Sequence, residues 1–362
     1  MTRRAAVAGG GVAGRLSALL MRRAGWDVTL FDAAGPTTWG GTGLVAGGML
    51  APYAERENAE DIVMRAGQDA LDIWTRVIAT LNKPVHFARR GSLVIGHEED
   101  RTLVDDFRDK LTRRGLTAAI RDGVSDELEV ARRFRHGFLL QDEGHVDPRE
   151  LLTALGAQLE AEGVRVAWDT KVDTVEPGRI SVRGETATYD VVVDARGLGM
   201  RHEHTDLRGV RGEALLVHAP EVTITRPVRL VHPRIPVYVI PRRDQRYYIG
   251  ASSIESERTE PISVRTVVEL LTAATSVHSG FAEATVLETM VGVRPAYPDN
   301  LPKLRCDRRG LVAIGGLYRH GFLLAPVLAE SVVKLIDADC AADAVVGVGK
   351  AFVEEWQYAH SS

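Results

Sequence analysis

The sequence predicts an α/β fold, in which a parallel sheet built from βαβ units is interrupted by an inserted antiparallel-sheet domain. Three observations predict it. A glycine-rich motif stands between an apolar strand and an amphipathic helix at the start of the chain. Two further apolar runs, over 189–195 and 311–316, end in glycine turns. The segments between them are rich in strands, so a discontinuous domain with an insertion explains the pattern.

The 362 residues and the charge balance limit the possible classes of protein. This length favours two domains, and 45 basic against 49 acidic residues argue against a dedicated nucleic-acid binder. The longest uncharged stretch, 35–54, is broken by glycine and proline, so no membrane helix is expected. The pair Arg3 and Arg4 is not taken as an export signal, because glycines break the apolar run that follows. Two cysteines, Cys306 and Cys340, are expected to be reduced thiols of a cytoplasmic protein.

The first βαβ unit has the composition of a dinucleotide site. Gly9 permits a tight turn, Gly11 lets backbone N–H groups approach a pyrophosphate, and Gly14 lets helix and strand pack closely. Val12 and Ala13 complete the motif at a helix N-terminus, which favours anions. Asp32 ends the second strand, 23 residues after Gly9, where a carboxylate can bind both hydroxyls of a ribose. The motif alone does not distinguish NAD from FAD.

Hydrophobic periodicity predicts the remaining elements. Helices are expected over 61–81, 98–114, 149–162, 264–274 and 321–336, and strands over 91–95, 164–168, 171–175, 189–195, 213–218, 237–241, 247–251 and 311–316. The predicted dinucleotide domain comprises residues 1–75, 140–205 and 292–362, and the inserted domain comprises 76–139 and 206–291.

Several stretches are specific enough to indicate a family. They are VAGGMLAPYAE at 45–55, GHVDPRELL at 144–152, RPVRLVHPRIPVYVIPRRD at 226–244, GVRPAYPDNLP at 292–302 and GLYRHGFLLAP at 316–326. Together they resemble the FAD-dependent amine oxidases of the D-amino-acid oxidase type, and most closely the glycine oxidases of thiamine biosynthesis (the ThiO type). The chain departs from the family pattern at Asp32, where glutamate is usual, and at 302–305, where Pro-x-Ile-Gly is common.

The resemblance implies a FAD-binding Rossmann-like domain of the glutathione-reductase type, with an inserted antiparallel-sheet substrate domain. FAD is expected to be non-covalent, because no cysteine or histidine stands in an attachment motif. The N-terminus of the last helix is expected to face the flavin and to stabilise negative charge there. The implied cofactor-binding residues are Gly9, Gly11, Val12, Ala13, Gly14, Asp32, Gly47, Gly48, Met49, Val172, Ala195, Gly197, Arg319, His320, Gly321, Phe322 and Leu323.

The resemblance also implies the catalytic site. Arg294 is expected to bind a substrate carboxylate with its planar fork, and Tyr238 to donate a second hydrogen bond. Arg319 is expected near both flavin and substrate, and Met49 at the border of the substrate pocket. Glu55 is left open between a contact to the adenine ribose and simple solvation. The scattered histidines show no metal-ligand spacing.

The expected activity is the oxidative deamination of glycine. Glycine, O2 and water give glyoxylate, ammonia and H2O2 through an imine that can also enter thiamine thiazole synthesis. One alternative is an oxidase or dehydrogenase of another small amine, such as sarcosine or a D-amino acid. A second is a non-catalytic FAD-binding partner protein. The chain is expected to form a homo-oligomer and to transfer the imine to a thiazole synthase. No nucleic-acid or membrane partner is expected.

Overall fold

A computed structural model describes residues 2–35, 41–55, 60–123, 128–234, 236–341 and 347–355. Residue 235 of the family-like stretch and both ends of the predicted dinucleotide domain lie outside these ranges. Elements are numbered in chain order. The helices are α1 (Val12–Arg23), α2 (Pro52–Glu55), α3 (Asp61–Ile78), α4 (Arg101–Thr112), α5 (Leu128–Arg133), α6 (Pro148–Ala161), α7 (Val264–Val277) and α8 (Gly321–Asp337).

A seven-stranded sheet carries the predicted dinucleotide motif. Its strands are β1 (Arg4–Ala8), β2 (Asp27–Phe31), β9 (Arg165–Ala167), β13 (Val191–Asp194), β19 (Lys303–Asp307), β20 (Leu311–Gly315) and β21 (Val353–Glu355), in the order β21-β19-β20-β13-β1-β2-β9. The pairs from β9 through β20 are parallel. Parallel strands buried on both faces have continuous apolar sequences, as β13 and β20 do. The carboxyl ends of β1, β2, β13 and β20 therefore meet at one edge of this sheet.

The two faces of this sheet are covered differently. Alternate residues of β1 point to opposite faces. Ala5 and Val7 pack into the core formed with α1, α3, α6 and α8. Ala6 and Ala8 instead pack against a three-stranded antiparallel sheet of β10 (Val172–Glu176), β11 (Arg179–Val182) and β12 (Glu185–Thr188). This three-layer arrangement confirms the predicted α/β class of the dinucleotide-binding part.

An eight-stranded sheet forms the second half of the molecule. Its strands are β5 (Ser92–Gly96), β6 (Ile120–Asp122), β7 (His136–Leu140), β14 (Arg208–His218), β15 (Val228–Leu230), β16 (Val237–Pro241), β17 (Arg246–Gly250) and β18 (Thr285–Ala296), in the order β18-β14-β17-β16-β15-β5-β7-β6. All pairs are antiparallel except β15 with β5. One face packs on α7, and on the other face β5 and β7 pack against α4, α2 and α3.

A small sheet joins the two halves. Its strands are β3 (Met49–Leu50), β4 (Phe87–Ala88) and β8 (Gly144–Val146), in the order β3-β8-β4. Met49 pairs with His145 in this sheet. The strand therefore fixes Met49 between the two large sheets. The domain boundaries drawn from the sequence stay a prediction.

Most predicted helices and strands are confirmed, but some expectations are wrong. The segment Thr285–Ala296 is a twelve-residue strand that was not predicted. The departure from the family pattern at 302–305 falls largely in β19 and pairs with β20. The expectation of reduced thiols is also wrong for this structure, in which Cys306 and Cys340 form a disulfide with a Cα–Cα distance of 5.8 Å. No described helix is long and apolar enough to cross a membrane.

The disulfide closes a loop of 34 residues, so its loss should destabilise the fold. We expect Cys340→Ala to lower the free energy of unfolding by about 3 kcal/mol in the absence of a reductant. Urea unfolding measures this difference. With excess reductant, wild type and variant should become nearly equal. Free thiols detected in the unfolded, unreduced wild type would contradict the disulfide.

Candidate active site

The glycine motif forms a tight turn, and side chains added at Gly9 or Gly14 would collide with backbone atoms. Gly9 has φ +100°, and a Cβ there would lie 2.5 Å from the Ala195 carbonyl oxygen. A Cβ on Gly14 would collide with the Gly9 carbonyl. In contrast, a Cβ on Gly11 would meet no atom within 4 Å, and Gly11 is exposed. Gly9 and Gly14 are thus required by packing, while Gly11 turns its backbone to open space where a diphosphate fits.

The first turn of α1 is open to an anion. Its N-cap, Gly11, has no side-chain cap, and no acidic residue lies in the first turn that contains Val12 and Ala13. Asp32 lies beside this turn and accepts hydrogen bonds from the backbone N–H groups of Gly10 at 2.5 Å and Ala34 at 2.8 Å. Each carboxylate oxygen keeps another lone pair for a ribose hydroxyl. These features fit the dinucleotide that the motif predicts.

Arg15 holds the glycine turn through a hydrogen bond, and it was not predicted as a site residue. Its Nε donates to the Gly10 carbonyl at 2.6 Å, and its guanidinium lies over the Trp168 ring at 4.7 Å. Burial lowers the pKa of Arg15 to about 10, although the Asp32 charge opposes that shift. A charged residue directly after the motif, on a buried helix face, is the sequence signal that could have identified it.

Other residues that are predicted to bind the cofactor have buried or small side chains, so they would contact it through backbone atoms. Val172, Phe322 and Leu323 are buried in the two cores, and the Phe322 carbonyl accepts a hydrogen bond from Trp74 Nε1 at 2.7 Å. Ala195 follows β13 beside the Gly9 turn. Gly197, with φ +59°, continues that turn. Helix α8 begins at Gly321 without a side-chain cap or an acidic first turn, so its positive end is also open.

The loop before β3 is glycine-rich for packing reasons. A Cβ on Gly47 would lie 2.8 Å from Ile240 Cδ1 and 3.0 Å from Tyr248 Cε1. Gly48 has φ +68°, and its Cβ would collide with the Val146 carbonyl. Packing against the sheet already explains these glycines. Contact between Gly47, Gly48 and a flavin stays a prediction.

Tyr238 occupies the centre of the sheet face that is turned away from α7. It lies opposite Gly250 on β17 and Arg229 on β15. Its hydroxyl accepts a hydrogen bond from Arg319 Nη2 at 2.6 Å. Arg319 comes from the loop before α8, so the structure brings together two predicted residues that are 81 positions apart. The Tyr238 side chain and Glu55 raise the pKa of Arg319 above its ordinary value.

Arg294 lies on β18 of the same sheet. Its Nη1 donates to the Ser252 carbonyl at 3.1 Å. Room for the guanidinium comes from Gly212 on β14, where a Cβ would overlap it. Burial lowers the pKa of Arg294, and the nearby Arg319 charge adds to that shift. Two like charges held in a buried region favour an anionic ligand.

Met49 and its neighbours form an apolar wall beside these arginines. Met49 packs on a cluster that contains Tyr238, Ile240, Tyr248 and Met290. A cavity of about 120 Å³ adjoins the wall at Tyr248 and Met290. The predicted carboxylate-binding residues Arg294, Tyr238 and Arg319 do not line this cavity.

Glu55 is buried near the predicted substrate-binding arginines, so simple solvation does not describe it, and a contact to the adenine ribose stays a prediction. Its Oε2 is 3.5 Å from His320 Nδ1, and its side chain is only 14% exposed. Burial favours a higher pKa, but the charge of Arg319 and its positive neighbours outweighs burial and lowers the pKa of Glu55. Burial also lowers the pKa of His320. The Glu55 carboxylate is therefore ionised, and its positive neighbours are Arg319, Arg229 and Arg294.

Two further charged residues near Glu55 were missed. Glu143 accepts hydrogen bonds from the Ala54 N–H at 2.7 Å and from the Ser92 hydroxyl. Arg229 donates to the Ala54 carbonyl at 3.1 Å. Arg229 interrupts the apolar strand β15, and this interruption is the only local signal of it. The partners of Glu143 come from distant segments that no local pattern connects.

Fold and site together define a FAD-dependent oxidoreductase. The family model described as FAD dependent oxidoreductase (DAO) matches residues 4–335, and the chain belongs to this family. The resemblance drawn from the sequence motifs and the expected FAD cofactor are thereby confirmed.

Similar proteins extend this result. The chain is 43% identical to a Rhizobium etli protein assigned as the thiamine biosynthesis oxidoreductase ThiO, over 91% of this chain and 94% of that protein. It is 25% identical to glycine oxidase of Geobacillus kaustophilus over 92% of each. The crystal structure of that oxidase matches with a TM-score of 0.81 at 22% identity, over 93% of this chain and 95% of that one. A bifunctional ThiO/ThiG protein of Trichormus variabilis is 25% identical, over 93% of this chain and 53% of that protein.

Asp32 should contribute strongly to FAD binding. We expect Asp32→Ala to weaken FAD binding by about 10- to 100-fold, because hydrogen bonds to the charged group are lost. The dissociation constant is measured from the fluorescence of FAD released on dilution. Asp27→Ala is the matched control, because Asp27 begins the same strand but pairs with Arg165 at the surface. Equal affinities of the two variants would contradict the role of Asp32.

Glu143 should make stability depend on pH. Burial raises the pKa of Glu143 to about 7, so the folded protein holds this proton more tightly than the unfolded chain. Its stabilising contribution is full below the unfolded pKa and is lost as pH rises through 7. Between pH 5 and 8 the wild type should lose up to about 3 kcal/mol relative to Glu143→Gln.

Unfolding in urea at several pH values measures this difference. Glu288→Gln is the control, because the hydrogen bond from Arg149 lowers the pKa of Glu288. That variant should show no slope relative to wild type between pH 6 and 8. A Glu143→Gln variant that also shows no slope would mean that Glu143 is ionised throughout.

Proposed function

We propose that this FAD-dependent oxidoreductase oxidises the amine of a small amino acid, with glycine as its substrate. The observation that carries the proposal is the convergence of Arg319 on Tyr238, beside the buried Arg294. This group offers charged and hydroxyl donors to one carboxylate. The relation to glycine oxidase and to ThiO supports the same substrate class.

The proposed site holds the substrate at its carboxylate end. Arg294 reaches it from β18, and Tyr238 and Arg319 reach it from β16 and the α8 loop. The wall of Met49, Tyr248 and Met290 restricts the volume beside the Cα atom, which favours an amino acid without a large side chain. One methylene changes affinity by only about 1–3 kcal/mol, so sarcosine and D-alanine are the alternatives to be tested.

FAD, held by the Gly9–Gly14 turn and Asp32, would supply the two-electron acceptor for the hydride lost from Cα, with O2 as the final oxidant. The chain supplies position and charge. No side-chain base is needed at carbon, because a neutral amine releases hydride directly. The burial of His320 keeps that imidazole neutral. The imine product hydrolyses to glyoxylate and ammonia, and the open N-terminus of α8 adds positive potential to the region.

We further propose that the imine can be transferred to a thiazole synthase. Support comes from the bifunctional ThiO/ThiG protein, of which this chain matches about half. A homo-oligomer, a non-covalent cofactor and a cytoplasmic location stay predictions.

The direct test is an anaerobic titration of the FAD-loaded protein with glycine, sarcosine and D-alanine. Glycine should bleach the oxidised flavin band at the lowest concentration, and air should restore the band with release of H2O2. A band bleached preferentially by another amine would move the substrate within the class. A band that no amine bleaches would favour the non-catalytic FAD-binding alternative.

Arg294 should determine substrate affinity. We expect Arg294→Lys to raise KM for glycine by about 10- to 100-fold with a smaller change in kcat, because the bidentate fork is lost in ground and transition states alike. Steady-state H2O2 production measures both constants. Arg305→Lys is the control, since Arg305 lies on β19 and pairs with Asp206 and Glu354. An unchanged KM in Arg294→Lys would remove Arg294 from the site.

A further inference from the structure

Arg229 is a buried cation beside the proposed carboxylate site, and the sequence motifs gave it no role. It is 2% exposed and lies in β15 directly opposite Tyr238 in the antiparallel pair with β16. Its guanidinium lies over the rings of Phe107 at 5.4 Å and Tyr238 at 5.2 Å. Burying a guanidinium is costly, so a position that serves only packing would favour an apolar side chain.

Two guanidiniums point at one hydroxyl. Arg319 Nη2 lies 2.6 Å from Tyr238 Oη, and Arg229 Nη1 lies 3.4 Å from the same atom. A tyrosine hydroxyl accepts on its lone pairs and donates one hydrogen. With both cations on its accepting side, the hydrogen must point away from them. Tyr238 is thereby held as a donor, which is the orientation that an incoming anion requires.

The position of Arg229 is itself fixed from a second direction. Its Nη1 also donates to the Ala54 carbonyl at 3.1 Å, and the N–H of the same residue is held by Glu143 at 2.7 Å. Glu143 in turn accepts from Ser92 on β5. A buried chain of polar contacts therefore runs from β5 through α2 to the Tyr238 hydroxyl.

We propose that Arg229 is a positioning residue for substrate recognition, which acts through Tyr238 by fixing its hydroxyl as a donor to the carboxylate. The inference rests on the proposed function only in taking the ligand to be a small carboxylate. It predicts that the contribution of Arg229 to carboxylate binding disappears when the Tyr238 hydroxyl is absent.

A double-mutant cycle on acetate binding tests this coupling. Acetate is the carboxylate of glycine without the amine, and its binding to the oxidised, FAD-loaded protein is followed by the flavin absorbance. We expect Arg229→Met to raise the dissociation constant about tenfold in the wild-type background and about twofold or less in Tyr238→Phe. An equal fold-change in both backgrounds would overturn the proposal.

Two controls complete the cycle. Tyr247→Phe alters a neighbouring tyrosine that donates to the Val222 carbonyl on the opposite sheet face, so Arg229→Met should keep its full effect there. If Arg229→Met does not fold, Arg229→Lys keeps the buried charge and should show about a threefold effect that vanishes in Tyr238→Phe.

The failure of each idea has a different signature. If Tyr238→Phe itself leaves acetate binding unchanged, the proposed carboxylate site is wrong and Arg229 falls with it. If Tyr238→Phe weakens binding but the Arg229 effect persists in full, only the positioning role is wrong.

Discussion

The rest of the site depends on one electrostatic constraint, the burial of positive charge on a single face of the eight-stranded sheet. Arg294 and Arg319 lie close enough for the Arg319 charge to lower the pKa of Arg294. Among the described residues, Arg294 is stabilised by carbonyl oxygens and Arg319 by Tyr238 and Glu55. Carbonyls and a hydroxyl offset only part of the cost of burying a guanidinium. An anionic ligand that completes this balance binds more tightly than a neutral molecule of the same shape.

The sheet geometry makes this concentration of charge possible. Alternation along β14, β16, β17 and β18 turns every second residue to the same face, and glycines occupy the places where two large side chains would collide. Gly212 gives its space to the Arg294 guanidinium, and a Cβ on Gly250 would lie 2.6 Å from Tyr248 Cε1. Large side chains on this face thus lie beside glycine positions. A substitution at Gly212 would displace Arg294, and one at Gly250 would displace Tyr248.

The dinucleotide half could be predicted from sequence because its signals are contiguous. Gly9, Gly14 and Asp32 belong to one βαβ unit, and each is explained by local packing or a local hydrogen bond. Arg294 and Tyr238 were found only through the family resemblance. Strand β18 was missed because its glycine and proline favour turns, whereas pairing along β14 determines its structure. The disulfide was missed because spacing alone does not show that residues 306 and 340 meet.

Glu143 and Arg229 show why the remaining part of the site was invisible in the sequence. Arg229 is a single charge in an apolar strand, whereas Glu143 stands beside Asp142 in a polar turn. The partners of both residues lie far away in the chain. Glu143 accepts a hydrogen bond from the Ala54 N–H and Arg229 donates one to the Ala54 carbonyl, and Glu55 follows directly on the same short helix. Hydrogen bonds at Ala54 therefore help to set the position of the Glu55 carboxylate near Arg319. Burial raises the pKa of Glu143 to about 7, so gain or loss of this proton changes the charge near Arg229 around neutral pH.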